Sequence, residues 1–145
     1  MGISLTPQER FEVFGHWLPQ EYEAEAEQRW GGTEAYAQSQ RRVSTYTKDD
    51  WLRIKAEGEA IESRLVAAKE AGEPASSVVA MDLMESYRQH ITRWYYECGC
   101  DIHRGLGDMY VADPRFTARY EAIAPGLAQY VRDASHANAD RGESG

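Results

Sequence analysis

Several features that define large functional classes are scarce or missing in this sequence. Its 145 residues include only two cysteines, Cys98 and Cys100, which are too few and too close together for a disulfide scaffold; a reducing cytoplasm is the expected location. No run of about 18 apolar residues occurs that would span a membrane, and the N-terminus does not have the pattern of a secretory signal. Acidic residues outnumber Lys and Arg by 24 to 16, so we expect no direct binding to nucleic acid.

The sequence is rich in signals for helix starts and helix ends. The segment Thr6-Pro7-Gln8-Glu9 has the pattern of a capping box and predicts a short helix from about Pro7 to Phe14. Thr47 starts a longer helix, which Gly72 and Pro74 end. Its apolar residues recur in steps of three and four, typical of one helix face: Trp51, Ile54, Gly58, Ile61, Leu65 and Ala68. No segment competes as a strand, so the predicted fold is all-α.

A second apolar pattern covers more than thirty residues after Ser77. Its members are Met84, Tyr87, Ile91, Trp94, Cys98, Ile102 and Met109. Gly99, Gly105 and Gly107 weaken this pattern because glycine disfavours helix. We therefore predict one long helix with a kink near Gly99, or two helices nearly in line.

The first third of the chain differs from the rest. Residues 1–46 contain short acidic helices, one opening at Pro19 and one capped by Thr33, with few aliphatic residues to pack. Such helices are marginal without packing partners. We therefore predict a mobile N-terminal segment at 1–46, a helical core at 47–137, and a disordered tail at 138–145, where the sequence is small and polar.

Cysteine and histidine residues lie close together at Cys98, Cys100 and His103. Two of them could ligate a metal from one helix face, but a complete zinc site needs further ligands that the spacing of the other histidines does not supply. No nucleophile elbow or phosphate-binding glycine loop occurs. We expect no metal site, no cofactor and no catalysis, while a metal- or tetrapyrrole-binding helical protein stays open as the alternative.

Aromatic residues are more numerous than a core needs. The sequence has nine Tyr, four Trp and three Phe. The run Trp94-Tyr95-Tyr96 covers about 200° of a helix, which is too wide for one buried stripe. Tyr and Trp suit a binding cleft as well as a core, so part of this set is expected to line a cleft.

Five segments carry a resemblance that spans the chain to about Asn138. They are Thr6-Pro7-Gln8-Glu9-Arg10-Phe11-Glu12-Val13-Phe14-Gly15, Glu27-Gln28-Arg29-Trp30-Gly31, Ser44-Thr45-Tyr46-Thr47-Lys48, Ala71-Gly72-Glu73-Pro74-Ala75 and Gly107-Asp108-Met109-Tyr110-Val111. In order and spacing the chain resembles the TipAS-type antibiotic-recognition domain of thiostrepton-induced MerR-type activators.

The resemblance implies a globin-like helical fold without haem, whose cleft binds thiopeptide antibiotics of the thiostrepton, nosiheptide or promothiocin class. It also implies that residues 1–46 fold as a lid over the ligand, in agreement with the marginal helices predicted there. Family members occur fused behind a MerR-type DNA-binding domain or as a free domain, and a start at Met1 resembles the free, sequestering form.

The resemblance also marks one departure from the family. Family members have two cysteines seven residues apart on the long helix, the second of which attacks a dehydroalanine of the antibiotic. These positions correspond to Cys98 and Gly105, and we expect the two to share a helix face. Because the attacking position is glycine, mainly non-covalent binding is predicted.

The residues expected to contact the ligand lie on the long helix and in the N-terminal lid. On the helix they are Tyr87, Ile91, Trp94, Tyr95, Cys98, Ile102, Gly105 and Met109, and in the lid they are Phe11, Phe14, Trp17, Tyr22 and Trp30. A regulatory domain for a different apolar drug, with Gly105 making room in the same cleft, is a further alternative.

Overall fold

The computed structural model describes residues 5–14 and 30–144, apart from the side chains of Arg10, Phe11, Val13, Phe14, Glu143 and Ser144. These residues form seven helices and no strand, which confirms the all-α prediction. The helices are α1 (Pro7–Phe14), α2 (Glu34–Val43), α3 (Lys48–Glu70), α4 (Val78–Trp94), α5 (Cys100–Ala112), α6 (Pro114–Ile123) and α7 (Leu127–Ser144). The predicted helix after Pro19 lies almost wholly outside the described residues.

Helix starts are fixed by the side chains that the sequence pattern indicates. At α1, the Glu9 backbone N–H donates to Thr6 Oγ1 over 3.1 Å, and the Thr6 N–H donates to Glu9 Oε1 over 3.0 Å. Thr47 and Asp50 form the same reciprocal pair at the start of α3. Each pair satisfies two backbone donors that a helix start leaves open.

The end of α3 depends on Gly72. Its φ of 83° lies in the left-handed region that glycine adopts without strain. This conformation lets the Glu73 N–H donate to the Ala68 carbonyl over 3.0 Å and the Gly72 N–H donate to the Lys69 carbonyl, a Schellman-type end. The predicted stop at Gly72 is confirmed.

The chain divides into two compact units, of which the first comprises Met1–Gly58 and Ile91–Glu97. Its core is aromatic: Val43, Trp51, Ile54 and Trp94 are buried, and Leu5, Tyr46 and Tyr95 pack against them. Val43 and Tyr46 fall within the predicted lid, so the described end of that segment already belongs to a core.

The second unit comprises Glu59–His90 and Cys98–Gly145. Its core is formed by side chains of α3, α4, α5, α6 and α7: Leu65, Ala80, Met84, Tyr110, Tyr120, Leu127, Ala128, Tyr130, Val131 and Ala134. The apolar face predicted for α3 is confirmed, since Leu65 is fully buried in this core and Trp51 and Ile54 are buried in the first unit.

Helices α5 and α7 pack antiparallel within the second unit. A Cβ placed on Gly107 would lie 3.1 Å from Ser135 Cβ, so the helices approach closely at a position where α5 has no side chain. Arg104 pairs with Asp140 at 2.6 Å. A Cβ built on Gly142 would lie 2.9 Å from Cys100 Sγ. Residue numbers in these three pairs fall along α5 while they rise along α7, which shows that the two helices run antiparallel.

The structure differs from the sequence-based expectation at the C-terminus and decides between the two arrangements predicted for the long apolar pattern. Residues 138–144, expected to be a disordered tail, are the last turns of α7, where Asn138 and Ala139 are buried; alanine and well-placed polar partners outweigh the low hydrophobicity of the segment. Of the two arrangements predicted for the long apolar pattern, the structure has two helices, because α4 ends at Trp94 and α5 begins at Cys100.

Candidate ligand-binding site

Helix α5 has two distinct faces. His103, Gly107 and Tyr110 are its buried residues and recur in steps of four and three. Ile102, Gly105 and Met109 lie within about 60° of one another on a different side of the helix, at 100° per residue. Ile102 is 39% exposed, Gly105 is exposed and Met109 is half-buried. We call these three residues the outer face of α5.

Gly105 lies at the centre of the outer face. A Cβ built on it meets no other atom within 4 Å in the described part of the chain. A larger side chain at position 105 would therefore enter open space without displacing a neighbour. Because glycine disfavours helix by up to about 1 kcal/mol relative to alanine, nothing in the helix itself explains glycine here.

Cys98 is not part of the outer face. It precedes α5 and is fully buried. Its Sγ donates to the Gly99 carbonyl oxygen over 3.8 Å. Burial raises the pKa of the Cys98 thiol to about 11, so the reactive thiolate is scarce at neutral pH. The expectation that Cys98 and Gly105 share a helix face is wrong, since the helical repeat is interrupted between Trp94 and Cys100.

The backbone before α5 is held by Arg88 of α4. Its Nη1 donates to the Cys98 carbonyl over 2.7 Å, while Nε and Nη2 donate to the two carboxylate oxygens of Glu85 over 2.9 and 2.6 Å. Glu85 also accepts from Asn138 of α7 over 3.1 Å. Arg88 holds the pKa of Glu85 at about 2, with Gln89 and Asn138 adding smaller contributions.

His103 is completely buried, and neither ring nitrogen has a hydrogen-bond partner among the described residues. Burial, with repulsion from Arg88, lowers the pKa of its imidazole to about 4 although Glu85 opposes the shift. The ring is therefore neutral at pH 7. Among the described residues no group of three or more His, Cys, Asp or Glu side chains could hold a metal ion, so the metal alternative based on Cys98, Cys100 and His103 finds no support in the geometry.

Acid should therefore destabilise the fold through His103. The unfolded imidazole binds a proton below pH 6.5 and the folded one only below about 4, so stability falls as pH drops through that window, by about 3 kcal/mol in all. Urea unfolding at pH 7 and pH 4.5 measures this loss. His103→Leu should be neutral or stabilising at pH 7 and reduce the loss, whereas His136→Gln, at a half-buried histidine whose Nε2 lies 2.7 Å from Asp108 Oδ1, should keep it. An unchanged pH dependence of stability in His103→Leu would show that His103 is not the source of the acid destabilisation.

Two predicted ligand contacts are core residues of the first unit. Ile91 and Trp94 are both 7% exposed. The Trp94 indole Nε1 donates to Glu57 Oε1 over 2.7 Å, its carbonyl accepts from the Tyr46 hydroxyl, and the Tyr46 ring packs edge-on at 5.5 Å. Tyr95 packs against the same cluster.

Tyr87 packs against the core of the second unit. Burial raises the pKa of both the Tyr87 and the Tyr120 phenol. The Arg119 guanidinium lies 5.2 Å from the centre of the Tyr120 ring and 2.7 Å from Glu62. Sequence reasoning missed this polar group; Glu62 next to the apolar position Ile61 was the available signal, but its partner lies 57 residues away.

The predicted site residues therefore divide between the units. Tyr87, Cys98, Ile102, Gly105 and Met109 belong to the second unit, and Ile91, Trp94, Tyr95 and Trp30 to the first. Trp30 is half-buried. Of the lid residues, Phe11 and Phe14 lie on α1 but their side chains are outside the described part of the structure, as are Trp17 and Tyr22 entirely.

Among the described residues, an all-helical fold leaves Ile102 and Gly105 exposed on one face of α5. The model of the TipAS antibiotic-recognition domain matches residues 22–138, so the chain belongs to that family and the resemblance is confirmed. The chain is 53% identical to the HTH-type transcriptional activator TipA of Streptomyces lividans over 141 residues, 97% of this chain and 56% of the activator. It is 36% identical to the HTH-type transcriptional activator mta of Bacillus subtilis, over 71% of this chain and 39% of that protein. The chain thus spans about half the length of the TipA activators.

Solved structures show the same relationship. TipAS in complex with nosiheptide, from a thiopeptide antibiotic multidrug resistance system of Streptomyces lividans, matches with a TM-score of 0.90 and 52% identity, covering 97% of this chain and 99% of that one. The antibiotic-binding domain of a TipA-class multidrug resistance transcriptional regulator matches with a TM-score of 0.59 and 51% identity, over 63% of this chain and 98% of that one. No helix among the described residues has the length and apolar character needed to cross a membrane.

Proposed function

We propose that this chain binds thiopeptide antibiotics and thereby senses or sequesters them, without catalysing a reaction. The observation that carries the proposal is the match over almost the whole chain to TipAS in complex with nosiheptide. The TipA relatives are HTH-type transcriptional activators of almost twice the matched length, so fusion to a DNA-binding domain fits the same role. The free thiols of Cys98 and Cys100 favour action in the reducing cytoplasm.

The outer face of α5 is the proposed contact surface of the second unit. Ile102 offers an exposed apolar side chain, and Gly105 leaves space beside it for a rigid macrocycle. Met109 packs against the core of the second unit and would contribute only the exposed part of its adaptable side chain. Binding is non-covalent in this proposal, because position 105 has no thiol and Cys98 is buried in its protonated form.

Ile102→Ala should weaken binding about tenfold. This loss corresponds to about 1.4 kcal/mol, the value of a partly buried aliphatic side chain. Val111→Ala is the matched control, since Val111 lies on the same helix with nearly the same exposure, 38% against 39%, but on another side of it. Quenching of tryptophan fluorescence by nosiheptide measures both affinities, and equal losses in the two variants would refute a contact at the outer face.

Residues 1–46 form the proposed lid, although Val43 and Tyr46 already pack in the first unit. The proposal rests on the short, acidic, weakly apolar helices of this segment and on the family resemblance. Coupled folding of such a segment lowers affinity by its ordering cost and raises helix content on binding. A far-UV circular dichroism titration with thiostrepton should show a saturable gain in helix, and saturable binding with no gain would remove the lid from the proposal.

A further inference from the structure

The polar side chains around Arg88 form one connected network within the second unit. Arg141 of α7 donates to Asp82 of α4 over 2.8 Å and to Asn138 over 2.5 Å. Asn138 in turn donates to Glu85, which accepts two hydrogen bonds from Arg88. Arg88 also donates a hydrogen bond to the Cys98 carbonyl. The network therefore joins α4, α7 and the backbone before α5.

The start of α5 depends on this network more than an ordinary helix start would. Gly99 is its N-cap and provides no side-chain hydrogen bond, whereas the starts of α1 and α3 have reciprocal caps. The His103 N–H donates to the Gly99 carbonyl, so the first helical hydrogen bond begins one residue after the carbonyl that Arg88 holds. The Cys98 side chain in the same short segment is fully buried.

We propose that Arg88, together with Glu85, is a positioning residue for antibiotic binding, because it sets the direction in which α5 presents Ile102, Gly105 and Met109. The inference rests on the proposed function. Arg88 itself is only 20% exposed and its three hydrogen bonds point at Glu85 and the Cys98 backbone, so it acts through α5 and not by touching the ligand. Lysine cannot replace it, since an ammonium lacks the planar fork that binds a carboxylate and a carbonyl at once.

A double-mutant cycle between Arg88→Lys and Ile102→Ala separates positioning from general destabilisation. Substitutions at separated sites without shared partners normally add within a few tenths of a kcal/mol. If Arg88 orients the outer face, Arg88→Lys should weaken nosiheptide binding at least fivefold. The further effect of Ile102→Ala should then fall from about tenfold to below threefold. Arg64→Lys, at an exposed arginine of α3, is the control and should leave the effect of Ile102→Ala unchanged.

Each outcome of this cycle decides one question. The positioning role is overturned if the effects of Arg88→Lys and Ile102→Ala are fully additive. It is also overturned if neither single substitution has an effect in a protein that binds nosiheptide. A wild-type chain without saturable binding overturns the proposed function instead. Should Arg88→Lys unfold by circular dichroism, Glu85→Gln provides the same cycle while leaving the Arg88 bond to the Cys98 carbonyl available, and coupling to Ile102→Ala is again the expected result.

Discussion

Gly105→Cys should convert reversible antibiotic binding into covalent capture. The new thiol would stand on the outer face of α5, where a Cβ meets no other atom within 4 Å among the described residues. Its thiolate adds to the β-carbon of a dehydroalanine in the bound antibiotic, and the α-carbon takes up a proton, so a thioether forms and nothing leaves. Intact mass spectrometry after incubation with thiostrepton should give the sum of the two masses for the variant and the unmodified mass for the wild type.

The substitution is expected to leave the fold intact. Position 105 is exposed and helical, and cysteine is a slightly better helix former than glycine. Gly105→Ser is the matched control, because it has nearly the same shape without a nucleophilic thiol, and it should bind without an adduct. An adduct on the wild-type chain or on Gly105→Ser would show that Cys98 or Cys100 reacts. An unmodified Gly105→Cys that still binds would show that the antibiotic does not approach position 105.

Trp94→Ala should cost about 3–5 kcal/mol of unfolding free energy, the range for truncating a buried tryptophan. Trp94 is 7% exposed and lies in the aromatic core of the first unit with Trp51 and Ile54. It also loses its hydrogen bond to Glu57 when truncated. Urea unfolding at pH 7 measures the loss, which a pure ligand contact on the surface would not produce.

Trp94→Phe separates ring packing from the hydrogen bond. It keeps an aromatic ring against Tyr46 but removes the indole N–H, so the expected cost is a smaller cavity loss plus about 1 kcal/mol for the lost bond. Tyr96→Phe, at a half-buried neighbour, should change stability little. If Trp94→Ala weakens nosiheptide binding while leaving unfolding unchanged, the residue is a ligand contact, as the sequence predicts, and the core assignment is wrong.

Local signals predicted much of the fold. Capping residues and spacing gave the start of α1 at Pro7, the start of α3 after Thr47 and its end before Gly72, because these features depend on a few adjacent residues. A division into two helices near Gly99 was one of the two predicted arrangements, but the bounds of the break, Trp94 and Cys100, were not predicted. An apolar pattern continues through the break, and the Arg88 hydrogen bond to the Cys98 carbonyl, which holds the segment before α5, is visible only in the structure.

The candidate site was predictable only in part. Ile102, Gly105 and Met109 share a face of α5 as the helical repeat requires, but the same repeat placed Cys98 beside them, and the structure buries it instead. Residues 138–144 look polar enough to be disordered, yet Asn138 joins α7 to Glu85. Partners more than fifty residues apart leave no mark in a local pattern. The links from α7 to Glu85 and Asp82 and the Glu62–Arg119 pair therefore had to come from the structure.

Mass spectrometry of the chain with nosiheptide tests the central claim most directly. Under native conditions the account predicts a one-to-one complex that saturates with added antibiotic. Under denaturing conditions the same sample should return the unmodified mass of the chain, because the complex is held without a thioether. Absence of a complex under native conditions would contradict thiopeptide binding, and an adduct that survives denaturation would contradict the non-covalent mode.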